Sequence, residues 1–144
     1  MTRINLVEPH QLTDKHLMAE YRELPRIFTA VIKLQEQGKT PADVDIPDHY
    51  VLGKGHVKFF YDKIKWLNRR YEKLYEELIN RQYKLDSELY DSVSYQVNDK
   101  LWGNRFWGLH YKPTPEDIYL NMVRLCKRSN ITSVAEELYQ KETP

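Results

Sequence analysis

Residues 55–82 read GHVKFFYDKIKWLNRRYEKLYEELINRQ, and within them Phe60, Ile64, Leu67, Tyr71, Leu74 and Leu78 recur at steps of four, three, four, three and four. A helix turns about 100° per residue, so these six side chains share one face, and the spacing predicts a helix over roughly 55–82. The seam is heptad-like but short, which favours packing on another helix of the same chain over dimerisation. The natural partner lies upstream. Leu17, Tyr21, Leu24, Phe28 and Val31 form a second such stripe between Thr13, a suitable N-cap, and Gly38, a suitable C′ residue. Pro25 falls inside that stripe, lacks a backbone N–H and crowds the preceding turn, so a kink is expected between Tyr21 and Pro25.

A loop with Pro41 and Pro47 joins these two helices. After Lys84 the periodicity fades as far as Pro113, in a stretch holding Tyr90, Tyr95, Trp102, Phe106, Trp107 and Tyr111. Most of these rings are read as core, with base stacking as the alternative use of exposed ones. Thr114-Pro115-Glu116-Asp117 starts a third helix, with Thr as N-cap, Pro at N1 and an acid at N3, and a short last helix is expected over 133–138. The expectation is an all-α single domain over 1–144, with three main helices, an irregular segment before the third, and the last 15 or so residues as a peripheral tail.

The 144 residues are 41% hydrophobic and 30% charged, a composition with material for one core. No apolar run reaches bilayer length, and Cys126 alone permits neither an intramolecular disulfide nor a thiolate metal cluster. These features point to a cytoplasmic protein, expected to be a monomer without cofactor or metal. Gly53-Lys54-Gly55 falls short of a phosphate-binding fingerprint. The net charge is +1, yet residues 51–84 carry nine Lys or Arg against four Asp or Glu. At about 100° per residue Lys54, Lys58, Lys65 and Arg69 fall within an arc of about 60° of the helix read over 55–82, either a solvated face or a phosphate-tracking stripe. On the first helix His16, Ala19, Arg22, Glu23 and Arg26 share an arc opposite the apolar stripe. It reads either as surface ion pairing or as an anion site around one carboxylate. Periodicity does not choose between them.

Met1-Thr2-Arg3-Ile4-Asn5-Leu6, followed by His16-Leu17-Met18-Ala19-Glu20-Tyr21-Arg22-Glu23-Leu24-Pro25-Arg26, resembles the N-terminus of the pyrimidine-dimer DNA glycosylases, the phage-type endonuclease V family. Gly55-His56-Val57 with Phe59-Phe60-Tyr61-Asp62-Lys63 resembles the second signature of that family, so the likeness spans about the first 63 residues. The resemblance implies a metal-free, mostly helical enzyme. Such an enzyme cuts the glycosyl bond at a cyclobutane pyrimidine dimer and then nicks the backbone by β-elimination. It implies the α-amine of Thr2 as nucleophile once Met1 is removed, and Glu23 as the catalytic acid/base. Arg3, Arg22 and Arg26 are implied as DNA contacts, and His16 matches a further active-site position. Lys54, Lys58, Lys65 and Arg69 would extend the DNA footprint. The partner implied is double-stranded DNA carrying dimers or abasic sites. A lyase or glycosylase for other damaged bases and a non-catalytic DNA-binding module are the competing expectations. The family's Tyr-rich C-terminal tail differs from Leu138-Tyr139-Gln140-Lys141-Glu142-Thr143-Pro144, which carries one aromatic, and Trp102, Phe106, Trp107 and Tyr111 are the candidates to replace it.

Overall fold

The computed structural model describes residues 2–127, and among them it contains helices and short 3-10 turns but no strand. The all-α expectation holds. The helices are α1 (Asp14–Glu23), α2 (Pro25–Glu36), α3 (His56–Phe59), α4 (Ile64–Asn80), α5 (Ser87–Lys100) and α6 (Pro115–Lys127). The expected helix at 133–138 lies outside the described residues.

Thr13 caps α1, its Oγ1 accepting the His16 N–H at 3.4 Å, and α2 ends just before Gly38. The kink expected before Pro25 is realised as a break: α1 stops at Glu23 and α2 starts at Pro25. Both apolar stripes are buried along their whole length, and α1 packs on α4. Tyr21 of α1 stacks on Tyr71 of α4 with centroids 5.1 Å apart, and Phe28 of α2 meets the same ring edge-on at 6.1 Å. Such pairs add about 0.5–1.5 kcal/mol each beyond the area they bury.

Two expectations need correction. The helix read over 55–82 is not continuous. Its first turn is α3, the chain then tightens through i→i−3 hydrogen bonds to Lys63, and α4 begins afresh at Ile64. The reason is tertiary. The Ile64 and Lys65 N–H groups donate to the Phe106 and Trp107 carbonyls at 3.3 and 2.8 Å, so a distant loop satisfies the orphan donors of α4. Gly108 permits this approach. A Cβ there would lie 2.0 Å from the Asp62 carbonyl oxygen.

The stretch 84–113 is also not wholly irregular, because α5 occupies its centre. Asp86 caps it, accepting the Glu88 and Leu89 N–H groups at 3.0 and 3.1 Å. Val97 and Leu101 are buried and Tyr90 stacks on Tyr75 at 4.0 Å, but Leu89 and Tyr95 are exposed. Apolar residues on both faces erase the period that would have announced the helix. The third helix starts as expected, with the Asp117 N–H donated to Thr114 Oγ1 at 3.1 Å.

Candidate active site

Residues 2–7 precede the first helical turn and run through the interior: Thr2 is 8% exposed, and Ile4, Asn5, Leu6 and Val7 are buried. A buried segment outside regular structure must find partners elsewhere for its backbone N–H and C=O groups. The Ile4 N–H donates to His56 Nε2 at 2.9 Å, and the Tyr50 hydroxyl donates to the Ile4 carbonyl at 2.8 Å. The Leu6 and Val7 N–H groups both donate to Asn121 Oδ1 of α6, at 2.7 and 3.2 Å. Arg70 of α4 donates to the Val7 carbonyl at 2.6 Å.

Arg70 also forms the central ion pair of the molecule. Its Nε and Nη2 donate to the two oxygens of Glu20 at 2.7 and 3.0 Å, and the two side chains are 3% and 1% exposed. Asn5 closes the network, donating to Glu20 Oε1 at 2.9 Å and accepting from Asn121 at 2.8 Å and from Arg124. Breaking a buried pair by removing one partner costs about 3–5 kcal/mol, since the other charge is left uncompensated. The Asn5–Glu20 bond ties the N-terminal segment to α1, and Glu23 lies one turn further along that helix.

His56 is held in one tautomer. Nδ1 lies 2.7 Å from the Val51 carbonyl and so carries the proton, leaving Nε2 as the acceptor for Ile4. Burial lowers its pKa to about 4, against the opposing pull of the Val51 hydrogen bond. Gly55 makes this placement possible: its φ of +90° turns the chain into α3, and a Cβ there would press on Pro47 Cγ at 3.1 Å.

The expected site residues fall into three groups. Thr2 is buried and Arg3 half-buried at the start of the clamped segment. On α1 and α2, His16 and Glu23 are half-buried, while Arg22 and Arg26 are exposed. Arg26 Nη1 stands 3.8 Å from Glu23 Oε2, a loose ion pair that leaves the guanidinium 63% exposed and Glu23 partly open to solvent. Lys54, Lys58, Lys65 and Arg69 are all exposed. They do not share one helix, however, because the chain breaks between α3 and α4. The arc expected for them requires a helix running on through Phe60–Lys63, where the chain instead turns. Arg69 is in addition paired with Glu72. Of the central aromatics, Phe106 and Trp107 are core, Tyr111 is half-buried, and Trp102 is 68% exposed.

Sequence reasoning missed Asn5, Glu20, Tyr50, His56, Arg70, Asn121 and Arg124. A signal for three of them was present. Glu20 lies three residues after Leu17 and four before Leu24; Arg70 is placed likewise between Leu67 and Leu74, and Asn121 between Ile118 and Leu125. Each is a polar residue on an apolar stripe, and opposite charges on two such stripes are a pairing signal.

The arrangement is a helical fold in which the segment 2–7 is built into the interior beside a helix bearing a carboxylate between two arginines. The family model for pyrimidine dimer DNA glycosylase matches residues 1–91. The chain belongs to the pyrimidine dimer DNA glycosylase family, and its function is that of a DNA-repair glycosylase. The match takes in the N-terminal segment and α1 to α4, whereas Asn121 and Arg124 lie beyond it.

Proposed function

We propose that the protein removes the 5′ base of a cyclobutane pyrimidine dimer through an imine with the α-amine of Thr2, and then nicks the strand as an AP lyase. Removal of Met1, which the small Thr2 side chain favours, exposes this amine. Its reference pKa of about 7.7–8.0 leaves about a tenth of it unprotonated at neutral pH, against fewer than roughly one in a thousand lysine side chains. The amine attacks C1′, and the glycosyl bond breaks with its electrons leaving on the base, which stays tethered through the cyclobutane ring. Ring opening gives the imine. The imine acidifies the C2′ proton; Glu23 takes it, and the electrons expel the 3′ phosphate. Arg3, Arg22 and Arg26 hold phosphates around this centre, and their charge favours the free amine. The duplex is weakened at a fused dimer, which lowers the cost of extruding a base there.

The observation that supports this reading is the fastening of residues 4–7, immediately after Thr2 and Arg3. Five backbone groups of Ile4, Leu6 and Val7 are bonded to Tyr50, His56, Arg70 and Asn121. A nucleophile on the backbone itself has no side chain to aim it, so an enzyme that uses one must immobilise the chain. Burial alone requires partners for these groups; the imine reading adds a use for the immobility that they give.

The test is borohydride reduction during turnover on a duplex with one thymine dimer and, separately, on an abasic duplex. The expected result is a covalent adduct mapping to Thr2 on both. Glu23→Gln should abolish nicking while holding lesion affinity within about tenfold. An adduct on the abasic duplex alone would make the protein a lyase of other specificity, and no adduct on either would end the imine mechanism.

A further inference from the structure

The α-amine of Thr2 belongs to the backbone, so beyond the packing of the buried Thr2 its position depends on the nearest point where hydrogen bonds hold the chain. That point is Ile4, two residues or about 7 Å of chain away. Both polar groups of Ile4 are gripped by side chains from one remote stretch: the N–H by His56 and the carbonyl by Tyr50. The two rings support each other, with centroids 5.3 Å apart and planes crossed at 77°. Phe59 and Phe60 close on Tyr50 edge-on at 6.0 and 6.1 Å, and both gripping side chains are almost wholly buried. The Val51 carbonyl fixes the imidazole so that a lone pair, not a proton, meets Ile4. Each joint of the grip is thus made by a hydrogen bond or a ring contact.

We propose that His56 and Tyr50 are positioning residues for the Thr2 amine, acting through the Ile4 peptide to set the angle and distance of attack. The inference rests on the reading of Thr2 as nucleophile. Both side chains are buried, out of reach of a DNA surface, so loosening either one lowers the rate of imine formation and leaves DNA affinity in place. Misplacement of a reacting atom by about 1 Å costs on the order of a hundredfold in rate, so partial loosening suffices for a measurable effect.

The experiment is single-turnover borohydride trapping at saturating enzyme on the thymine-dimer duplex, with DNA affinity measured in parallel, well below the melting temperature of each variant. Tyr50→Phe keeps the ring and deletes one hydrogen bond, and His56→Phe deletes the other. Each is expected to slow trapping about tenfold or more while affinity changes by less than about threefold. His56→Gln, whose amide oxygen reaches the same acceptor position, should recover most of the rate. Val97→Ala, a buried change in α5 remote in sequence from the clamp, supplies a destabilised control that traps at the wild-type rate. Wild-type trapping rates in Tyr50→Phe and His56→Phe would overturn the proposal, as would a loss in Val97→Ala as large as theirs. If His56→Phe does not fold, Tyr50→Phe decides. Failure of the wild type itself to trap would be a failure of the nucleophile reading, distinct from normal trapping by a loosened clamp.

Discussion

Glu20 and Glu23 are one helical turn apart on α1, yet they occupy opposite chemical worlds. Glu20 is sealed in the core with both oxygens on Arg70, so it is a structural anion that fixes α1 to α4. Glu23 keeps part of its surface in solvent, and Arg26 reaches it only at 3.8 Å, which leaves the carboxylate available to a substrate. His56 has an equally defined state, since only the neutral imidazole accepts from Ile4. Its folded pKa of about 4 lies below the ordinary 6.5, so the unfolded chain takes up a proton that the folded one refuses. Stability from this group is complete above pH 6.5 and is lost as pH falls from there towards 4, by about 3 kcal/mol in all. Melting temperatures between pH 7 and pH 4 should therefore drop more steeply for the wild type than for His56→Gln. Parallel curves would assign the acid sensitivity to other groups.

At the scale of elements, the loop after α5 decides where α4 begins. It lends two carbonyls to the first N–H groups of α4, and it gets close enough only because residue 108 is glycine at φ +65°. Gly108→Ala would drive a methyl group into the Asp62 carbonyl and should destabilise the protein by roughly 2 kcal/mol or more. Gly103→Ala is the control. It has a similar φ but nothing within 4 Å, so its cost is the left-handed strain alone, about 1 kcal/mol. Equal losses in thermal melts of the two variants would mean that the loop yields and the contact is not rigid. α5 is held by a different device, a stack of Tyr90 on Tyr71 and Tyr75 with centroids at 5.3 and 4.0 Å.

Across the whole molecule, the polar network joins parts far apart in the chain. Asn121 of α6 reaches the backbone of Leu6 and Val7, so the segment beyond the family match completes the seat of the N-terminus. Arg22 and Arg26 are exposed, as their proposed role as phosphate contacts requires. Replacing both by Gln should weaken duplex binding and lower the slope of log affinity against log salt by about two. Affinities measured over a salt series check this, and an unchanged slope would remove these arginines from the phosphate contacts.

The helices α1, α2, α4 and α6 were legible because burying one face of a helix imposes a period that local spacing records, and threonine caps mark the starts of α1 and α6. A disturbance at Pro25 was legible, as a kink, because proline acts on its own turn; that it divides α1 from α2 was not. The family, and through it the candidates Thr2 and Glu23, was legible because those residues lie in two contiguous runs. The break between α3 and α4 was not, since it depends on acceptors from Phe106 and Trp107 more than forty residues away. α5 was hidden by exposed Leu89 and Tyr95, which have no periodic meaning. The clamp on Ile4 was hidden for the same kind of reason. His56 and Tyr50 are ordinary residues in sequence, and only the tertiary structure, by carrying residues 50 and 56 to residue 4, gives their hydrogen bonds a partner. Local periodicity and signature runs belong to the sequence, whereas hydrogen bonds between distant segments exist only once the chain has closed on itself.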